Sequence, residues 1–211
     1  TNNQPEYNKK STIVYNETTN KFTSFYSFTP NLYINNNRSY YTYSARNNGD
    51  LYIHNRGNIG EFYGNTPNIQ LKLIMNSQPS ITKVLDNLVW HTEVIDDPDY
   101  PLDTDNINMF PETWQNIRVY NDYQNTDQIT LDPTVLKNIR RVERGWQLQV
   151  PRNKVLYSTS ASPNIFTDLG NKPYGERMRD KTFTIELEYS NPNHYRFIMH
   201  YLKSIFRVSF K

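Results

Sequence analysis

Polar and apolar residues alternate with a period of two along several stretches of the chain. Phe183–Tyr189 places Phe, Ile, Leu and Tyr on one face and Thr and Glu on the other. Trp146–Val150 alternates in the same way and stops before Pro151, a residue that a strand terminus tolerates. Ile69–Met75 repeats the pattern less strictly. A period of two indicates half-buried β-strands, so these three stretches predict strands.

Weaker patterns predict further strands between them. Phe22–Phe28 is typical of one strand, and Ile81–Ile95 predicts a hairpin or a pair of strands containing Trp90. Trp114–Tyr120 and Gln128–Leu131 predict two short strands, and His194–Phe210 favours strands over a helix. The first twenty residues are polar apart from a β-prone island at residues 12–15. We expect an extended arm there, either partly ordered or donated as a strand to a neighbour's sheet edge.

The clearest turn is Asn48-Gly49, which lies between two β-prone runs. Tight hairpin turns require positive φ angles, which Asn and Gly tolerate better than other residues. The pair therefore predicts a β-hairpin whose strands are rich in tyrosine.

Composition supports the same fold class. The chain of 211 residues contains 28 Asn, 17 Tyr and 10 Phe but only 2 Ala. Ala is the best helix former, whereas aromatic residues suit pleated sheets and Asn suits turns. We predict an all-β, loop-rich protein of antiparallel, sandwich-like sheets with little helix. Residues 1–20 would form the arm and residues 21–211 the β-rich domain, with a subdivision at the proline- and aspartate-rich stretch 96–112.

Charge and cysteine content exclude several function classes. A net charge of +2 gives no general electrostatic attraction to nucleic acid or to an anionic membrane. Without cysteine, the chain has no disulfide, thiolate metal site or cysteine nucleophile. No apolar run approaches the ~18 residues of a membrane span, so we predict none.

The acidic and histidine residues do not follow a known metal or catalytic motif. The acidic group Asp96, Asp97, Asp99, Asp103 and Asp105 lacks the glycine turn and the ligand spacing of a calcium loop, so a solvated loop is the preferred interpretation over a metal site or paired catalytic carboxylates. The four histidines are His54, His91, His194 and His200. They show no metal-ligand spacing and are interpreted as core or surface residues.

The arginine and tryptophan residues suggest structural contacts and no catalytic role. The basic residues Arg140, Arg141, Arg144, Arg152, Arg177 and Arg179 are interleaved with acids, which favours ion pairs within or between subunits over DNA binding. We expect any DNA contact to be non-specific. The three tryptophans, Trp90, Trp114 and Trp146, and the tyrosine-rich strands are interpreted mainly as core, with a protein interface or a sugar-binding platform as alternatives. No phosphate-binding loop or hydrolase motif occurs, so we predict no catalytic, cofactor-binding or metal-binding residues and no enzyme activity.

An ordered series of short motifs carries a family resemblance. The blocks are Lys21–Phe28 before Pro30, Asn35-Asn36-Asn37, Tyr40–Tyr43, Asn48–Asn55, Phe62–Asn65, Leu71–Pro79, Lys83–Leu88, Arg140-Arg141, Trp146–Arg152 and Gly175–Lys181. In this order they resemble the C-terminal region of the tail muzzle or stabilisation proteins of crAss-like bacteriophages, which infect Bacteroidales. The series departs from the family at Phe22, where a tryptophan is usual.

The resemblance implies a structural role. Proteins of this family are longer than this chain, so we expect the chain to be a fragment of a longer protein. The implied function is to close or stabilise the virion tail by assembly. Its partners would be other copies in a cyclic assembly and neighbouring tail or portal-ring proteins. The alternative from another class is a secreted or cell-surface carbohydrate-binding module, which requires exposed, coplanar aromatic rings. A glycoside hydrolase would need two facing carboxylates, and the sequence favours no pair.

Overall fold

The computed structural model describes residues 11–26, 28–36, 39–44, 49–96, 107–108, 112–132, 139–154 and 175–210. Strands, turns and bends make up these residues, and no helix occurs among them. The predicted all-β fold class is therefore confirmed. The chain divides into one unit of residues 1–67 and 191–194 and a second unit of residues 68–190 and 195–211. The expected subdivision near 96–112 falls largely outside the described residues, and the predicted domain limits stay a prediction.

The first unit contains a hairpin and a three-stranded sheet. The strands are β1 Thr12–Asn16, β2 Lys21–Tyr26, β3 Leu32–Asn36, β4 Ser39–Ser44 and β5 Asp50–Ile53. Strands β1 and β2 pair antiparallel, and the sheet has the order β3-β4-β5. The first part of the expected N-terminal arm lies outside the described residues, and β1 pairs within its own chain.

The Asn48-Gly49 hairpin is confirmed, although its connection is longer than a two-residue turn. Ser44 pairs with Asp50, so residues 45–49 join β4 to β5. Gly49 has a φ of +73°, as the turn signal requires. Asn48 lies outside the described residues.

The second unit is a β-sandwich. Its strands are β6 Ile69–Met75, β7 Lys83–Asp96, β8 Ile107–Asn108, β9 Asn116–Tyr120, β10 Ile129–Thr130, β11 Ile139–Val142, β12 Gly145–Gln149, β13 Arg179–Asp180, β14 Phe183–Tyr189 and β15 Arg196–Val208. One sheet has the order β10-β9-β14-β6. In the other sheet, β15 lies along most of β7, while β13, β12 and β8 pair with successive parts of β7.

Alternating residues of both sheets form one hydrophobic core. Phe183, Ile185, Leu187 and Tyr189 are all buried, as their spacing predicts. From the other sheet, Leu88, Trp90 and Val94 of β7 and Trp146 and Leu148 of β12 join the same cluster. The sandwich therefore follows from the period-two pattern, because each sheet buries one face against the other.

The predicted hairpin or strand pair at Ile81–Ile95 is wrong, because one continuous strand runs from Lys83 to Asp96. Asp86-Asn87 has residue types that favour turns, but here the pair lies at a β-bulge. The pairing with β15 moves from Leu85–Phe206 to Asn87–Ile205, which leaves Asp86 as an extra residue. A bulge absorbs such a residue without ending the strand.

Asparagine and glutamine side chains have a specific structural role on the outer face of the first sheet of the sandwich. The Glu188 carboxylate accepts hydrogen bonds from Asn68 and Gln70 at one oxygen, at 2.8 and 3.3 Å. Its second oxygen accepts from Asn116 and Gln128, at 3.3 and 3.1 Å. These bonds, led by those from Asn68 and Gln70, hold the pKa of the Glu188 carboxyl below its ordinary value. The four amides therefore stabilise the charged form and link residues of neighbouring strands.

Replacing this carboxylate by Glu188→Gln should lower the free energy of unfolding by about 1 kcal/mol at pH 7, because an amide has only one acceptor oxygen for four donors. A lowered pKa contributes stability above the pKa of the unfolded chain, near ~4.3, and this contribution is lost as pH falls through the lower folded value. Urea unfolding at pH 7 and at pH 3 should show the difference at pH 7 alone. Glu143→Gln, in an exposed turn, is the matched control, and an equal pH dependence in both variants would contradict the assignment.

Candidate functional site

An exposed apolar surface lies on the hairpin of the first unit. We call it the hairpin face and define it as Ile13, Tyr15, Phe22 and Phe25. These side chains are 51%, 48%, 73% and 73% exposed, respectively. Groups of large, exposed apolar side chains are uncommon on monomeric proteins, and they often mark a surface that binds a partner.

A register shift creates this face. Ile13 pairs with Phe25 and Tyr15 with Phe22, while Val14 pairs with Ser24. Thr23 is therefore an extra residue in β2. Without it, Phe22 and Phe25 would point to opposite faces, because they are an odd number of residues apart. With it, both rings lie on the face that carries Ile13 and Tyr15, and Tyr15 and Phe22 meet edge to face with 5.2 Å between ring centroids.

The three-stranded sheet carries a second exposed apolar group. Leu32 and Leu51 both pair with Tyr43, and Ile34 pairs with Tyr41, so all of these side chains share one face. Leu32, Ile34 and Leu51 are 52%, 42% and 58% exposed. The first unit thus presents two β surfaces with large apolar side chains in contact with solvent.

A polar network lies on the opposite face of the same sheet. Thr42 Oγ1 is 2.7 Å from His54 Nε2 and 2.6 Å from the Tyr63 hydroxyl oxygen. Burial lowers the pKa of His54 and raises the pKa of Tyr63. The Tyr63 hydroxyl can donate a hydrogen bond to Thr42 Oγ1, and the Thr42 hydroxyl can donate one to neutral His54. Each of the three side chains then has a hydrogen-bond partner. Because Thr42 is fully buried, a substrate cannot reach its hydroxyl, and the network fastens the 57–64 loop to the sheet.

Aromatic rings surround this network and line a hollow in the first unit. Phe28 is 5.1 Å from His54 and 4.9 Å from Phe62, between ring centroids. Tyr52 and Tyr63 are 4.2 Å apart. The hollow has a volume of about 1020 Å³ and is open to solvent along β1, β5 and the 57–64 loop. Aromatic rings form part of its lining, together with Thr12, Ile13 and Val14 of β1 and residues of the 57–64 loop.

The three tryptophans are core residues. Trp90, Trp114 and Trp146 are 0%, 2% and 2% exposed. Trp90 and Trp146 pair directly across β7 and β12. A carbohydrate platform built from these rings is therefore excluded, because a sugar could not contact buried rings.

Of the predicted arginines, Arg177 forms an ion pair within the chain, and its partner is Asp86, which is not one of the acids interleaved with the arginines in the sequence. Asp86, the bulge residue of β7, receives Arg177 Nη1 at 2.6 Å and Arg207 Nε at 3.1 Å. Arg140 donates to Gln147, and Arg141 lies over the Trp146 ring. These contacts join neighbouring strands and are not arranged as a track for phosphates.

The remaining candidate residues, the aspartates and the histidines, lie in different parts of the structure. Of the acidic group, Asp96 ends β7, and the other four aspartates lie outside the described residues. His194 belongs to the first unit and contacts the Ile59 carbonyl oxygen and Glu61. His91 and His200 lie together with Glu93 on β7 and β15, and among the described residues these three form the group of side chains that could hold a metal ion. Sequence spacing could not reveal them, because His200 is more than a hundred positions away from His91.

The described part of the chain is an all-β protein with exposed apolar β surfaces and no recognised catalytic arrangement. Residues 57–153 match the family described as the Crassvirus muzzle protein C-terminal domain. This match confirms, over residues 57–153, the family resemblance predicted from the sequence. Muzzle proteins of this family are components of the virion tail. No curated protein matches the chain.

The family match supports a structural role over an enzymatic one. The match begins in the 57–64 loop of the first unit and continues through β6 to β12 of the second. The described part of the chain contains no helix of the length and apolar character needed to cross a membrane.

Proposed function

We propose that this chain stabilises the virion tail by packing against neighbouring copies of itself around the tail axis. The observation that supports this most directly is the hairpin face, where two phenylalanine rings are each 73% exposed. A face of this kind gains free energy when a neighbour covers it, at roughly 25 cal/mol per Å² of apolar surface removed from water.

A ring is the assembly that this surface fits best. In this proposal the hairpin face packs against a different surface of the neighbouring copy, because a face that packed on its own counterpart would give a closed pair of chains and not a ring. Repeated contacts between two different surfaces close into a ring when the rotation between copies is a fraction of a full turn. The family match supports the tail as the place of this ring, with neighbouring tail or portal-ring proteins as further partners. The chain acts by assembly, without a catalytic step.

The carbohydrate-binding alternative has no support from the family match. It also loses the tryptophans among its candidate residues, since all three are buried.

The combined substitutions Phe22→Ser and Phe25→Ser should weaken assembly at least tenfold, because the rings would no longer remove apolar surface from water on contact. The experiment uses a phage genome that encodes the variant, and it measures the copies of this protein per purified particle and the fraction of particles that retain DNA. We expect both values to fall.

Lys21→Ser is the matched control, because Lys21 pairs with Asn16 on the opposite face of the same hairpin. Thermal unfolding of both variants checks that the fold is intact, and exposed substitutions should change stability only slightly. Unchanged copy number and DNA retention in the double variant would refute the role of the hairpin face.

A further inference from the structure

A bulge in β15 brings together three side chains that can ligate a metal ion. His91 and Glu93 are two positions apart on β7 and therefore share its outer face. In β15, Met199 pairs with Thr92 and Tyr201 pairs with His91, which leaves His200 as an extra residue. His200 and Tyr201 are consecutive, yet both are exposed on the outer face, whereas Met199 and Leu202 pack against the core. Bulges that redirect a side chain in this way are common at functional sites.

The distances between the ligand atoms fit a small ion. Glu93 lies between the histidines, with Oε1 3.6 Å from His91 Nε2 and Oε2 3.2 Å from His200 Nε2. In a tetrahedral site with metal–ligand bonds of about 2.0–2.1 Å, two ligand atoms are separated by about 3.3 Å. One potential ligand atom from each of the three residues lies within 4.8 Å of the others.

The two imidazole rings are close enough to share one ion after a change in their orientation. They lie 4.4 Å apart between centroids at an angle of 23°. To bind one ion, the rings turn out of this stack until both Nε2 lone pairs point to the same centre. The His200 side chain is 41% exposed, so the rotation meets little obstruction, and solvent provides the entry path for the ion.

We propose that His91, Glu93 and His200 form a binding site for a divalent transition-metal ion. Zinc is the ion that these side chains fit best. Two imidazoles and one carboxylate are a ligand set that zinc accepts, whereas magnesium and calcium prefer sites made of oxygen ligands. Three protein ligands leave a fourth position for water or for a side chain of a neighbouring molecule. The ion would join β7 to β15 at the bulge, where the ladder of backbone hydrogen bonds is interrupted.

Binding should stabilise the folded chain, because the unfolded chain does not hold the three ligands together. The site lies on the second unit and does not depend on the hairpin face, so failure of the assembly proposal would leave it intact.

Zinc chloride added to the metal-free chain should raise its unfolding temperature, and isothermal titration calorimetry should give one ion per chain. Cobalt(II) should bind in its place and give the visible absorption of a tetrahedral complex. The variants His200→Asn and Glu93→Gln should weaken binding at least tenfold and abolish the cobalt spectrum. Magnesium chloride at the same concentration should have no effect.

His194→Asn is the control, since His194 is a histidine of the other unit beside a glutamate, Glu61. It should bind zinc as the unchanged chain does. No zinc-dependent shift in the unchanged chain, an equal shift in His200→Asn, or binding lost equally in His194→Asn would each overturn the proposal. The cobalt spectrum reports metal coordination directly, so it distinguishes loss of binding from a change in stability in any variant.

Discussion

Replacing Trp90 with alanine is expected to lower the free energy of unfolding by about 3–5 kcal/mol, the range for large aromatic side chains deleted from a core. Trp90 is 0% exposed and lies at the centre of β7, opposite Trp146 on one side and Leu202 on the other. Its Nε1 also donates a hydrogen bond of 2.8 Å to Thr113 Oγ1. The substitution therefore leaves a cavity between the two sheets and removes one hydrogen bond from the Thr113 hydroxyl, which keeps its contact with Thr92 Oγ1 at 2.9 Å.

Urea unfolding followed by circular dichroism measures the loss. Thr113→Val keeps the ring and removes the hydrogen bonds that Trp90 Nε1 and Thr92 Oγ1 make with Thr113 Oγ1, and it should cost only about 1–2 kcal/mol. Ile205→Ala is the exposed control on β15, where the side chain is 46% exposed, and we expect a small effect. A Trp90→Ala loss below that of Thr113→Val would show that the ring does not organise the core.

The second large effect is expected at Lys83, a fully buried lysine. Its Nζ donates to three backbone carbonyls, at 2.6 Å to Ser77, 2.9 Å to Gln78 and 3.2 Å to Ile81. Gln78 has a φ of +55°, a strained value that the lysine helps to hold. Burial lowers the pKa of Lys83, which makes the carbonyl contacts necessary to keep the ammonium charged.

Lys83→Met should lower the free energy of unfolding by about 2–4 kcal/mol, because three hydrogen bonds from a charged group are lost, although the Gln78 carbonyl keeps the Ile81 N–H as a donor at 3.1 Å. Lys203→Met is the matched control, because that lysine is exposed on β15 and lies over the Tyr201 ring. Chemical denaturation compares the two variants at pH 7. Equal stability in both would show that the turn at 77–81 holds without its ammonium group.

Local pattern was sufficient to predict strands wherever the alternation was strict. Phe183–Tyr189 and Trp146–Val150 bury the residues that their spacing assigns to one face. Ile81–Ile95 was predicted less well, because the turn preference of Asp86-Asn87 is local, whereas the bulge that absorbs Asp86 depends on pairing with β15. Residues far apart in the sequence determine that pairing, so local propensity cannot reveal it.

The two surfaces with functional proposals both depend on bulges. Simple alternation assigns Phe22 and Phe25 to opposite faces, and the extra Thr23 brings them together. The same effect at His200 brings a histidine to His91 and Glu93. Neither event has a signature in residue type, because an extra residue is defined only by its partner strand. Motif order, in contrast, was sufficient to indicate the family, since it required no knowledge of pairing.

The most direct test of the assembly proposal is an electron-microscopy map of the intact phage particle at side-chain resolution. We predict that this chain lies in the tail, repeated around the tail axis, with Phe22 and Phe25 covered by a neighbouring copy. A map in which the chain is absent from the tail, or in which both rings face solvent in every copy, would contradict the account.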